Sequence, residues 1–311
     1  MFTCHTESER VILRCGQAEA EIYLFGALLN RYAVREEGRW FNCVRGYSTP
    51  SAARASITNG FYGAKLSPFP CRLKNGRYRF NGQNHHIAKH QTGGHALHGL
   101  LYDAPFGLCG SGGGGQAWAE LAYDYDGTTP GYPFPYRITV RYTLGSDGLT
   151  VHTAVQNTGS TPMPLADGWH PYFTLGGSAD EWELHINSRI RLTFDQELLP
   201  TGGREPDTRF WQPRPLAGIS LDNSFLLNEI PGTACILKNG RRRLTIKALH
   251  NYPVLQIYIP PERDSVAVEN LSGAPDCFNN GLGLLVLAQG EEQVFSACYS
   301  LYCGPAESEP A

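Results

Sequence analysis

Ten histidines are spread along the 311-residue chain, and five of them, His85, His86, His90, His95 and His98, fall within fourteen positions. Imidazoles grouped this way can ligate a metal or relay protons. The HExxH pattern that sets two rings on one helix face is absent, as is any CxxC pair, so no metal is expected. His85, His86 and His90 read as solvated loop residues, and His95 is less favoured than its neighbour. His98 differs. It stands in GGHALHGLLYDAPF, between glycines that let the backbone approach a ligand and an apolar stretch that anchors the segment.

Four more side chains could do chemistry. His170 lies in DGWHPYFTL, where Pro171 holds the preceding backbone extended and Trp169, Tyr172 and Phe173 offer aromatic walls. It reads equally as a core histidine. Glu269 ends the alternating run Ser265 to Val268 and precedes a loop rich in Gly, Pro and Asn. A carboxylate there is either a solvated strand end or a partly buried group tuned for proton transfer. Asp222, in LDNSFLL, is a turn residue or a hydrogen-bond acceptor. Arg72, in KLSPFPCRLKNGRYRF, is an exposed hairpin arginine or a donor to hydroxyls and carboxylates.

Alternating strands must position these groups. Ile138, Val140, Tyr142 and Leu144 alternate with polar residues, then a turn at Asp147-Gly148 leads to Leu149, Val151, Thr153 and Val155. This period of two predicts a hairpin with one buried face. Further hairpins are expected at Cys235 to Ala248 around Asn239-Gly240 and at Gly283 to Tyr302 around Gln289-Gly290. Asn75-Gly76, Asn81-Gly82 and Asp126-Gly127 add turn signals. The stretch GSGGGG, Gly110 to Gly115, reads as a flexible hairpin loop. It does not open a helix and lacks the Lys-Ser/Thr ending of a phosphate-binding loop. No long amphipathic helix or internal repeat is evident. An all-β, large antiparallel sandwich is expected, as a single domain with a core of about residues 20–302 and a frayed tail at 304–311.

Composition narrows the function classes. Hydrophobic residues make up 41% of the chain, enough for a substantial core, and 35 Gly with 21 Pro suit a turn-rich fold. The formal charge of −3 provides no basic field for nucleic acid or anionic lipid. The longest apolar runs are far shorter than the roughly twenty residues of a membrane span. The first fifteen residues lack an apolar secretory core, and nine cysteines make an odd, unpatterned set. Reduced thiols in the cytoplasm are therefore expected.

KLSPFPCR, HALHG, PGYPFPYRITVRYTL, QNTGSTPMPLADGWHPYF, LDNSF and VENLSGAPDCFNNGLGLLVLAQGE occur in the order and at about the spacing of the aldose 1-epimerase (galactose mutarotase) family. The resemblance covers roughly residues 20 to 300. It implies a supersandwich with a carbohydrate cleft on one sheet, no required cofactor, and a small-molecule sugar as partner. It implies Glu269 as catalytic base and His170 as catalytic acid, His98 and Arg72 as a sugar-binding pair, and Asp222 as a hydroxyl-binding aspartate. Two departures stand out: HGLLYDAPF lacks the second glycine common after the first histidine motif, and Asn270 replaces a proline after the glutamate.

The implied reaction interconverts α and β anomers of a hexose by opening and closing its hemiacetal. Glu269, ionised, and His170, protonated, are expected to meet across the sugar ring. Two carboxylates would suit glycoside hydrolysis instead, and no second acid has an equally good motif. Two alternatives stay open. Arg241, Arg242, Arg243, Lys238 and Lys247 could serve a hexose 6-phosphate, and a non-catalytic carbohydrate-binding protein could keep the same sandwich. A monomer or homodimer fits either.

Overall fold

The computed structural model describes residues 1–304, so the tail expected to fray lies, Gly304 apart, outside the described residues. Two large sheets dominate. A nine-stranded sheet runs Gly107–Gly112, Ala117–Tyr125, Tyr136–Gly145, Gly148–Asn157, Glu292–Cys303, Arg242–His250, Gly232–Asn239, Glu183–Ile186 and Arg214–Pro215. A second sheet runs Pro200–Pro206, Ser188–Phe194, Asp222–Leu227, Val254–Tyr258, Val266–Leu271, Gly168–His170 and Ala64–Leu66, with Tyr172–Phe173 joined to Val266–Leu271 as its eighth strand. The paired strands are antiparallel, which makes the molecule an all-β sandwich.

The core lies between these sheets because each strand turns alternate residues inward. In the expected hairpin Ile138 pairs with Val155, Val140 with Thr153, Tyr142 with Val151 and Leu144 with Leu149, all buried. Phe225, Leu255, Ile257, Val266 and Val268 meet them from the second sheet. That continuous cluster includes residues from Val11 to Tyr299. The nine cysteines are all free thiols, and among the described residues no helix is long and apolar enough to cross a membrane.

Two expectations need correction. The glycine stretch is not wholly a loop, because Gly110–Gly112 belong to the edge strand Gly107–Gly112 beside Ala117–Tyr125. The Trp118 ring occupies the space where their side chains would lie: a Cβ on Gly112 would come within 2.8 Å of its Nε1. Gly283 to Tyr302 is not a hairpin either. Leu285–Leu287 pairs with Met163–Leu165, while Glu292–Cys303 lies between Gly148–Asn157 and Arg242–His250. A period of two reports which face is buried and carries no information about the neighbour.

The second sheet's outward face carries a smaller apolar cluster. There a short helix, Pro50–Ser56, starts with the Thr49 side chain accepting from the Ala52 N–H and with Pro50 in its first turn. Its Ala53, with Ile57 and Phe61 just beyond, packs on Ala64 and Leu66. Phe61 is thereby fixed above the sheet.

Candidate active site

Val266–Leu271 is buried on both faces. Val268 points into the core, so Glu269, its neighbour, points to the other face of the sheet. Cross-strand register extends that face: Glu269 lies beside Gln256, Gln256 beside Ser224, and Asp222 beside Tyr258. Gly168–His170 adds His170 from the far side of Val266–Leu271. Glu269, Gln256, Asp222, Tyr258 and His170 floor a cleft of about 310 Å³.

One wall comes from a three-stranded sheet in which Arg72 pairs with Leu97. His98 follows directly, with its N–H donated to the Cys71 carbonyl at 2.9 Å. The chain passes so tightly here that a Cβ on Gly99 would lie 2.3 Å from the Ser67 carbonyl oxygen, and only glycine fits. Phe61, Cys71, His98 and Leu198 all line the cleft with φ between 53° and 62°. Left-handed backbone at four non-glycine positions is strain of the kind that gathers at functional sites.

All five residues singled out in the sequence, Arg72, His98, His170, Asp222 and Glu269, line this single cleft. Several details of the sequence reading change. Glu269 and His170 do not face each other across a ring's width: Oε1 and Nε2 stand 3.3 Å apart on the floor. Of the three aromatic walls, only Tyr172 serves, stacked on His170 with centroids 5.0 Å apart. Trp169 and Phe173 take the opposite parity of the strand and enter the core. His95 is buried outside the cleft, its Nδ1 accepting from the Asn75 N–H at 3.0 Å. His85, expected in a solvated loop, lies in the strand Gln83–His86 and stacks on Tyr78.

Burial governs the protonation states. Desolvation pushes Glu269 well above the usual carboxylate range, helped by the negative charge of Asp222 and opposed by Cys71 and Arg72. It lowers His170 to about 4. His98 falls well below an ordinary histidine through burial and the nearby His170 and Arg72. The expected ion pair of glutamate and imidazolium is therefore not the resting state. Burial favours one proton on Glu269 and a neutral His170, because charge is costly away from water.

Sequence reasoning missed two groups. Gln256, 5% exposed, donates Nε2 to Asp222 Oδ1 at 2.6 Å and accepts from Ser224 Oγ at 2.5 Å. An ionised Asp222 only accepts, which fixes the amide orientation and turns the aspartate toward the cleft. Cys71 directs its thiol to Glu269 Oε2 at 3.8 Å. With His98 and Glu269 it forms a group whose possible ligand atoms lie within 4.8 Å of one another. Neither residue sits in an alternating pattern that would mark it; both are brought to the site by cross-strand and loop neighbours.

The basic run lies elsewhere. Arg241 Nε and Arg242 NH2 pair with Glu36 at 3.1 and 2.7 Å, and Arg241 also pairs with Glu37. Among the described residues, Arg72 is the only lysine or arginine that lines the cleft.

The family model for aldose 1-epimerase matches residues 9–299. The chain belongs to the aldose 1-epimerase family. Among curated relatives, the uncharacterized protein YihR of Escherichia coli is 29% identical over 238 residues, spanning 74% of this chain and 75% of that one. The galactose mutarotase of Sus scrofa is 23% identical, spanning 80% of this chain and 74% of that protein. A galactose mutarotase-like protein of Clostridium acetobutylicum superposes with a TM-score of 0.85 at 16% identity, covering 98% of this chain and 99% of its own. Such a structural likeness carries the fold: the sandwich is that of the galactose mutarotase-like proteins.

Proposed function

We propose that the cleft interconverts the α and β anomers of a free hexose. The observation that carries this reading is the contact of Glu269 with His170, a carboxyl and an imidazole 3.3 Å apart on the floor of an open cleft. The anomeric hydroxyl O1 and the ring oxygen O5 are bonded to the same carbon, so an acid and a base that act on them together must be neighbours. Side-by-side placement suits this better than placement across the ring.

Glu269 takes the proton from O1–H while His170 delivers one to O5, and the C1–O5 bond breaks to give the open aldehyde. The C1–C2 bond turns. O5–H then attacks the other face of C1, His170 recovers its proton and Glu269 returns one to O1. No atom is gained or lost. The reaction needs one proton shared by the pair, and a sugar hydroxyl donating to Glu269, together with the Arg72 charge, favours moving that proton to His170. Arg72 and His98 hold ring hydroxyls, and Asp222, oriented by Gln256, accepts from another. Each positioned acid or base contributes about 10²–10⁴ in rate.

A lone arginine in the cleft favours neutral sugars over hexose 6-phosphates. Polarimetry on freshly dissolved α-glucose, α-galactose and their 6-phosphates tests this. Free hexoses are expected to reach anomeric equilibrium faster, with no inhibition by inorganic phosphate. A preference for 6-phosphates would reject the neutral substrate. No acceleration with any aldose would leave only a sugar-binding protein.

A further inference from the structure

Cys71, His98 and Glu269 bring a thiol, an imidazole and a carboxyl to one corner of the cleft, the donor types that hold zinc. They are 6%, 6% and 3% exposed. Ligands on one tetrahedral zinc lie about 3.3–3.8 Å apart for bonds of about 2.0–2.3 Å. The three atoms already lie within 4.8 Å, so small side-chain rotations close them on an ion. Two ligands are preorganised, since the His98 N–H is bonded to the Cys71 carbonyl at 2.9 Å and both residues hold left-handed backbone. The Nδ1 of His98 is buried without a hydrogen-bond partner. The cleft itself leaves a fourth position open to water. Thiolate and imidazole select zinc over magnesium and calcium, which need oxygen ligands.

We propose that Cys71, His98 and Glu269 form an inhibitory site for a thiophilic divalent cation of the zinc type, which competes with the sugar for the cleft. On binding, the Cys71 thiol and the Glu269 carboxyl release any protons they hold to solvent, and no electron is transferred. The ion ties up Glu269 and His98. Its effect on turnover rests on the anomerase reading above, but its binding does not. Arg72 is the opposing feature, because its charge faces the same corner and sets a limit on affinity.

Calorimetric titration of the metal-free full chain with zinc chloride tests the site, with magnesium chloride as comparison and cobalt chloride as a spectroscopic probe. One zinc ion per chain is expected to bind, weakened by saturating glucose, with proton release and no magnesium binding. Cobalt should give a thiolate charge-transfer band. Cys71→Ser is expected to remove that band and weaken zinc binding by about 100-fold or more. Cys109→Ser, at the exposed thiol, should change neither. His98→Asn provides a second variant if Cys71→Ser fails to fold. Zinc affinity unchanged by both Cys71→Ser and His98→Asn would overturn the site, as would no zinc binding at all. Thiol-dependent zinc binding in a protein without anomerase activity would reject the proposed function and leave the site intact. Rapid anomerisation untouched by zinc would do the reverse.

Discussion

Glu269 Oε1 stands 3.3 Å from His170 Nε2, and both side chains are almost wholly removed from solvent. At that distance and burial the two groups act as one unit sharing a proton.

Shared action makes the substitutions non-additive. Glu269→Gln and His170→Asn are each expected to lower the anomerisation rate by about 10²–10⁴, with thermal unfolding little changed. The double variant should be little worse than the poorer single one, because removing either partner already stops the transfer. Polarimetry gives all three rates. Wild-type turnover by Glu269→Gln would reject the assignment.

The pH dependence of kcat/KM follows from the same pair. As pH falls toward about 4, His170 gains a proton while Glu269 keeps its own, and no base remains. As pH rises through the elevated Glu269 value, the pair loses its only proton, and no acid remains. A bell is expected, with its acid limb near about 4 and its alkaline limb above the ordinary carboxylate range. An acid limb at the ordinary histidine value of about 6.5 would show that burial does not control His170.

Gln256 separates binding from chemistry. Gln256→Leu takes the donor from Asp222 and leaves the Ser224 hydroxyl without its acceptor, while Glu269 and His170 keep their contact. A rise in KM of about 10-fold or more with a smaller loss in kcat is expected. Equal losses in both, or a loss confined to kcat, would mean that Asp222 is not held by Gln256 for the substrate.

Behind the site, Lys65 Nζ lies 2.5 Å from Asp167 Oδ1, and both side chains are fully buried. Burial lowers Lys65 to about 8 despite that carboxylate, and Tyr252 donates to the same oxygen at 2.7 Å. Lys65→Met alone is expected to cost about 3–5 kcal/mol, because it strands Asp167. Lys65→Met with Asp167→Leu should recover most of the loss in denaturant unfolding. A double variant as unstable as the single one would show that the ion pair itself stabilises the fold.

Strand character and the identity of five cleft residues were legible in the amino-acid order alone. Alternation at Ile138 to Val155 reflects a buried sheet face, and that signal is local, so it can be read residue by residue. Arg72, His98, His170, Asp222 and Glu269 stood in segments distinctive enough to carry a family resemblance. The assembled fold sets who neighbours whom. Gln256 reaches Asp222, and Cys71 reaches Glu269, only through cross-strand register and a left-handed turn, neither of which leaves a periodic trace. It also placed Glu292–Cys303 between two strands far from it in the chain. Above all it set the protons: a glutamate and a histidine are charged or neutral according to how much water reaches them, and burial is a property of the assembled sheets.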